Sequence, residues 1–194
     1  MCGLVPQKAG RARTFFLAMP MNDLELQPIT AGEVAAPAPL GAAMLALNNA
    51  HAQELSWLEP ARLEQLVTHA FLARRIGNLD AFLLAFDQDA PYDSPNFLWF
   101  RNRYPRFVYI DRIAVAASAR GRGLARLLYR GLFDEAHRRG HEHVACEVNL
   151  APPNPASDAF HAALGFVEVG RASIHNGSKI VRYLKRPLEL TGAR

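Results

Sequence analysis

Cysteine is almost missing from this chain. Cys2 and Cys146 are the only two in 194 residues, too few for a disulfide scaffold or for a zinc site built mainly of thiolates. Long apolar runs are missing too. The longest charge-free stretch, Val34 to Ala50, carries Pro37, Pro39, Gly41 and two asparagines, a poor membrane span. The first twenty residues lack a tripartite signal pattern, since Phe15 to Met19 is too short for its apolar part. There is no internal repeat. With 50% hydrophobic residues the composition excludes a disordered protein and suffices for the core of one domain.

Acidic residues are scarce in two places. Residues 1–20 hold Lys8, Arg11 and Arg13 and no acid, which supplies most of the formal charge of +4. Residues 101–130 hold eight arginines, with Asp111 the only acid among them. The remainder is nearly balanced, so the chain has one concentrated anion-attracting segment, which suits a small polyanion better than a long duplex. No helix-turn-helix spacing, zinc finger or RNA-binding aromatic signature supports a nucleic-acid partner.

The periodicities predict one mixed α/β domain over residues 24–188, with a disordered basic extension at 1–23 and a tail at 189–194. A short strand is expected in Leu24–Thr30 and a connector to Leu40. Helices follow at Ala42–Leu55 and after Ser56, read as an N-cap with Glu59 three residues on. Apolar runs at Phe71–Ile76 and Ala81–Phe86 flank the turn Gly77-Asn78. Residues 87–106 read as a long loop, and Phe107–Val115 as a strand. A long amphipathic helix runs from Gly123 to Arg139 and stops at Gly140. A strand at Val144–Val148, a short helix at Asn154–Leu164 and a hairpin around Asn176-Gly177 close the chain.

The segment Ile113-Ala-Val-Ala-Ala-Ser-Ala-Arg120-Gly121-Arg122-Gly123-Leu124-Ala125 is a strand, a glycine turn and a helix start. Gly121 and Gly123 remove Cβ atoms where backbone must approach a ligand. The unpaired amides of the helix's first turn, with its dipole and Arg120, Arg122 and Arg126, make a phosphate site. It is not a Walker loop, which needs Gly-Lys-Ser/Thr, nor a dinucleotide fingerprint, because Arg126 stands where the third glycine belongs. A tight turn with surface arginines is the simpler alternative.

Arg120-Gly-Arg-Gly-Leu-Ala125 resembles the pyrophosphate signature Arg/Gln-x-x-Gly-x-Gly/Ala of the GNAT acetyltransferase superfamily. Asn154, Ser157, Phe160 and His161, then Gly165-Phe166, are similar in spacing to a second signature, Asn-x-x-Ala-x-x-Leu-Tyr followed by Gly-Phe. Tyr92 to Phe100 is also similar to a segment in a bacterial subgroup of predicted acetyltransferases without an assigned acceptor. The resemblance implies a mostly antiparallel mixed sheet with flanking helices and one splayed parallel pair, Phe107–Val115 and Val144–Val148. It further implies acetyl-CoA in the splay. Backbone at Ile113 and Val115 would meet the pantetheine arm, the amides of Arg120 to Ala125 the pyrophosphate, and Asn154 the pantetheine region. The amine would attack the thioester directly. No metal is called for, the setting would be cytoplasmic, and a homodimer stays open.

Such a transfer needs a base for the amine and a proton for the leaving thiolate. His161 stands where the family has its tyrosine donor, so it is either the acid or a packing residue. Asp111 and Glu147, on the two splayed strands, are level as bases; the alternatives pair Asp111 with Arg112 and Glu147 with Arg182. By strand parity Asp111 shares a face with Tyr109 and Ile113. Cys146 reads as a buried small hydrophobe. Acceptor recognition is expected from Asp93, Phe97 and Trp99 in the 87–106 loop, by charge attraction and aromatic walls, unless the aromatics are core. The function expected is N-acetyl transfer to an amine of a small molecule, amino acid or peptide. The rival is a non-catalytic acyl-CoA-binding module of the same fold.

Overall fold

The computed structural model describes residues 25–174 and 179–188; the extension at 1–23, the tail at 189–194 and the Asn176-Gly177 turn lie outside them. Seven strands form one sheet: β1 (Leu26–Pro28), β2 (Leu72–Ile76), β3 (Ala81–Asp87), β4 (Phe107–Val115), β5 (His143–Ala151), β6 (Val167–Ile174) and β7 (Lys179–Pro187). Their order is β1-β2-β3-β4-β5-β7-β6, and only β4 and β5 run parallel. Helices cover both faces. On one lie α1 (Ala31–Val34), α2 (Pro39–Asn49), α3 (Ala52–Leu55), α4 (Pro60–His69) and α5 (Pro95–Arg101); on the other lie α6 (Leu124–Arg138) and α7 (Pro155–Ala163). No helix among the described residues is long and apolar enough to cross a membrane.

β3 shows why its apolar run is unbroken. Phe82, Leu84 and Phe86 enter the core under α2, α4 and α5, while Ala81, Leu83 and Ala85 enter the core under α6. A strand covered on both faces has no polar side to alternate with. Leu124, Leu128, Leu132 and Ala136 repeat every four residues along α6 and are buried as one stripe. His137 and Arg138 sit in its last turn, where cations complement the dipole, and Gly140 follows at φ +74°.

Several expectations about local structure change. Ser56 caps the end of α3 at φ +67°, and α4 starts four residues later with Glu59 as N-cap and Pro60 at the first position, where proline fits a helix start. The helix expected at Ala42–Leu55 is two helices, interrupted at Ala50 and His51. The connector before it contains α1, whose Glu33 carboxylate accepts from the Thr30 amide at 2.8 Å. The long loop at 87–106 contains a helix, α5, which starts at Pro95 and drives Phe97 and Phe100 fully into the core.

One departure moves the site. Between β3 and β4 the register slips, with Ala85 opposite Ile110 and Leu84 opposite Arg112, so Asp111 is the extra residue of a bulge. Before it, Phe107 and Tyr109 face the α5 side; after it, Ala114 does. Ile113 therefore shares the α6 face with Val108 and Ile110, and the parity that would group it with Asp111 and Tyr109 does not hold.

Candidate active site

The parallel ladder between β4 and β5 is three residues long, Phe107 with His143, Val108 with Val144, and Tyr109 with Ala145. Beyond Tyr109 the strands part. The β5-facing edge of β4 then has no strand partner, while β5 continues on β7 as far as Ala151. A cleft of about 500 Å³ opens there, with β4 and β5 as its sides and α3, α6 and α7 at its rim.

Glu147 lines this cleft from β5. Its carboxylate accepts from the Tyr109 hydroxyl at 2.6 Å and from Asn96 Nδ2 at 2.9 Å, and Asn96 Oδ1 accepts from the Tyr183 hydroxyl at 3.1 Å. Burial pushes the Glu147 carboxyl up to about 7, with the charge of Asp111 adding to it and the two hydrogen bonds opposing it. Arg182 is spent elsewhere, on Asp158 and Glu168. Glu147 is thus a carboxylate held by two neutral polar side chains, Tyr109 and Asn96, and matched by no cation among the described residues.

Asp111 is held differently. The bulge puts it and Arg112 side by side on one face, where Arg112 Nε donates to its carboxylate at 2.6 Å and Tyr92 donates at 2.5 Å. Both charged side chains are nearly occluded, at 6% and 7% exposure. Arg112 also donates to Asn48 on α2 at 2.8 Å, and Asn48 donates to the Ser56 carbonyl at 3.0 Å. The pair therefore pins the α2–α3 corner to β4. Its oxygens are committed to structure.

At the other end of the cleft, Gly121 and Gly123 stand at φ +76° and +77°, a left-handed backbone that side chains disfavour. Apart from the flanking residues, no described atom lies within 4 Å of where a Cβ would be at either. The glycines thus serve the turn's path and leave its outer surface open, directly before the first amides of the 15-residue α6. Leu124, the first residue of the helix, is buried beneath the turn. Arg120 lies within 3.3 Å of His51, and Arg122 pairs with Asp80 at 2.8 Å. Asn154 caps α7, its Oδ1 accepting from the Ser157 amide at 3.1 Å, and also lines the cleft.

With this geometry in view, residues 43–166 match the Acetyltransferase (GNAT) family. The chain belongs to that family. A relative, the L-2,4-diaminobutyric acid acetyltransferase of Wolinella succinogenes, is 33% identical over 67 residues, which are 34% of this chain and 39% of the relative. The fold is similar to that of the ribosomal-protein-S18-alanine N-acetyltransferase from Escherichia coli, at 17% identity and TM-score 0.62 over 88% of this chain and 97% of that one. It is also similar to Ard1 from Thermoplasma volcanium, at 12% identity and TM-score 0.64 over 84% and 97%. A structure of the NatC complex bound to Gag peptide and CoA matches at 17% identity and TM-score 0.62 over 84% and 98%.

Of the residues expected to hold the GNAT cosubstrate, Ile113, Val115, Arg120, Ala125 and Asn154 line the cleft. Gly121, Arg122, Gly123 and Leu124 complete the turn at its end. Asp111, Glu147 and His161 all line it. His161 is buried, and both ring nitrogens are occupied: Nδ1 meets the Ser157 carbonyl and Nε2 the Tyr129 hydroxyl, each at 2.8 Å. Burial holds its pKa below the ordinary imidazole value. The three residues expected to recognise the acceptor do not line the cleft. Phe97 is fully buried among aromatic side chains, Trp99 stacks on Tyr183 at 4.2 Å, and Asp93 pairs at the surface with Arg62. The arginine-rich window also divides: Arg101 and Arg103 lie over Phe97 and Trp99, Arg106 donates to the Arg139 carbonyl and Arg112 is buried. Arg120 and Arg122 are at the turn, and Arg126 and Arg130 follow on α6.

Asn96, Tyr109, Tyr183 and Tyr129 are polar members of the site that sequence patterns miss. For Tyr129 a signal exists. It is one helical turn beyond Ala125 of the phosphate motif, so it shares the face that looks into the cleft.

Proposed function

We propose that this protein transfers an acetyl group from acetyl-CoA to an amine of a small molecule, amino acid or peptide, by direct attack within a ternary complex. The observation that carries the reading is Glu147, a cleft-lining carboxylate without a cationic partner and with its pKa raised to about 7. Such a group takes a proton from an ammonium near neutral pH more effectively than a paired surface carboxylate. Asp111 acts as a positioning residue, through the Arg112 pair that keeps β4 bulged.

The residues fit a CoA cosubstrate on three counts. The unpaired edge of β4 at Ile113 and Val115 offers backbone groups to an extended arm. The open turn Arg120–Ala125 offers amides and positive charge to a pyrophosphate. Asn154 lines the same cleft with its side-chain amide at the start of α7. When bound, the cosubstrate supplies the activated acetyl group; the chain binds it, orients it and manages protons.

The test is release of free thiol from acetyl-CoA over a panel of amines that includes L-2,4-diaminobutyrate, other amino acids, polyamines and short peptides. At least one acceptor should release CoA, and Glu147→Gln should lower kcat/KM for it by about 100-fold or more. Acetyl-CoA binding without release on any acceptor would favour the non-catalytic acyl-CoA-binding module.

A further inference from the structure

Tyr129 and His161 form a buried pair that bridges α6 and α7 on the cleft wall. Tyr129 is 1% exposed and His161 6%, and both line the cleft. The Ser157 carbonyl can only accept, so Nδ1 carries the hydrogen there. In the neutral ring that burial favours, Nε2 then accepts from the Tyr129 hydroxyl at 2.8 Å. In this state the imidazole is neutral and has no proton to give into the cleft. The group it can act through is the phenol.

We propose that Tyr129 is the residue that contacts the leaving sulfur and delivers its proton, with His161 behind it as a positioning residue that restores that proton. The inference rests on the acetyl-transfer reading above. A second proton on Nε2, taken from solvent, reverses the inner hydrogen bond: the imidazolium donates to the Tyr129 oxygen and frees the phenol hydrogen to face the cleft. As the carbon–sulfur bond breaks, sulfur keeps the bonding pair and takes the Tyr129 proton. The Tyr129 oxygen takes the Nε2 proton, and His161 returns to the neutral state seen here. Glu147 takes one proton from the ammonium before attack, and the nitrogen sheds a second as the amide forms. Both return to solvent against the one drawn through His161, so the cycle releases one proton net and balances. Cys146, buried beside the pair with its thiol pKa raised by burial, stays protonated throughout.

The experiment has a binding arm and a turnover arm. In the first, the thiol of bound CoA is titrated by thiolate absorbance, read against the protein bound to desulfo-CoA. Hydrogen bonding from Tyr129 should set the midpoint about one pH unit lower in the wild type than in Tyr129→Phe. In the second, Tyr129→Phe should lose about 100-fold in kcat with the Kd for acetyl-CoA unchanged. Adding His161→Tyr to that variant should restore much of kcat, because a phenol at position 161 reaches past the imidazole toward the place of the missing hydroxyl. Equal thiol midpoints, or Tyr129→Phe turning over like the wild type, would overturn the proposal. So would a loss in Tyr129→Phe that comes with weakened acetyl-CoA binding or a lowered melting temperature and that the double variant does not rescue. If the wild type releases no CoA to any amine, the acetyl-transfer reading fails, and the titration still decides whether Tyr129 meets the sulfur.

Discussion

Glu147 titrates at about 7 in the folded chain against an ordinary value of 4.5. Between those values the folded protein binds more protons than the unfolded one, so stability falls as pH rises through the interval. Above about 7 both states are ionised and the whole cost is present. At 1.36 kcal/mol per pH unit it comes to about 3 kcal/mol, reduced by whatever screening solvent in the cleft provides. Glu147→Gln removes the charge and keeps the contacts: Gln Oε1 can still accept from Asn96, and the Tyr109 hydroxyl can turn to accept from the new amide. The variant should therefore melt higher than the wild type at about pH 9, by roughly 5–10 °C for a domain of this size, and nearly with it at about pH 4.5. Paired thermal melts by circular dichroism at the two pH values measure this. The same substitution should abolish the acidic limb of the kcat/KM profile, which in the wild type should rise through about 7. A melting difference that does not change with pH would refute the reasoning, because it would mean that Glu147 carries no burial cost.

Other perturbations separate structure from chemistry. Asp111→Ala strands the Arg112 charge in the bulge and should cost about 3–5 kcal/mol in urea unfolding. Gly123→Ala meets no protein atom, so its cost is the left-handed backbone alone, about 1–2 kcal/mol, and a calorimetric titration should show weaker acetyl-CoA binding. At Gly170 a Cβ would stand 2.5 Å from Trp99 Cζ2, so Gly170→Ala should shift the tryptophan emission and lower stability by about 1–3 kcal/mol without changing the Kd for acetyl-CoA.

Local signals carried much of the fold and stopped where distant residues take over. The phosphate turn was readable because two glycines and a helix start lie within a few positions, and the places of most strands along the chain followed from apolar runs. The Asp111 bulge has no glycine to announce it. The Asp111–Arg112 pair and the Asn48 contact 64 residues away stabilise it, and parity reasoning fails across it. Helix α5 hid behind Pro95 and polar neighbours, although Phe97 and Phe100 are three apart, as one helical face requires. Once that helix is docked, its aromatics are core and Asn96 is delivered to Glu147 from 51 residues away. Nothing local to Asn96 distinguishes it from a loop asparagine.

The three-residue seam between β4 and β5 has a mechanical consequence. The sheet is two antiparallel halves, β1 to β4 and β5 to β7, joined edge to edge over a distance shorter than an ordinary strand. Side-chain bridges such as Tyr109 to Glu147, and the cores under the shared helices, also join them. An extended ligand threaded along the free edge of β4 would act as a substitute strand, lengthening the joint from within. Occupancy of the cleft should then slow hydrogen exchange on both sides of the seam together, and the halves should stiffen as one plate.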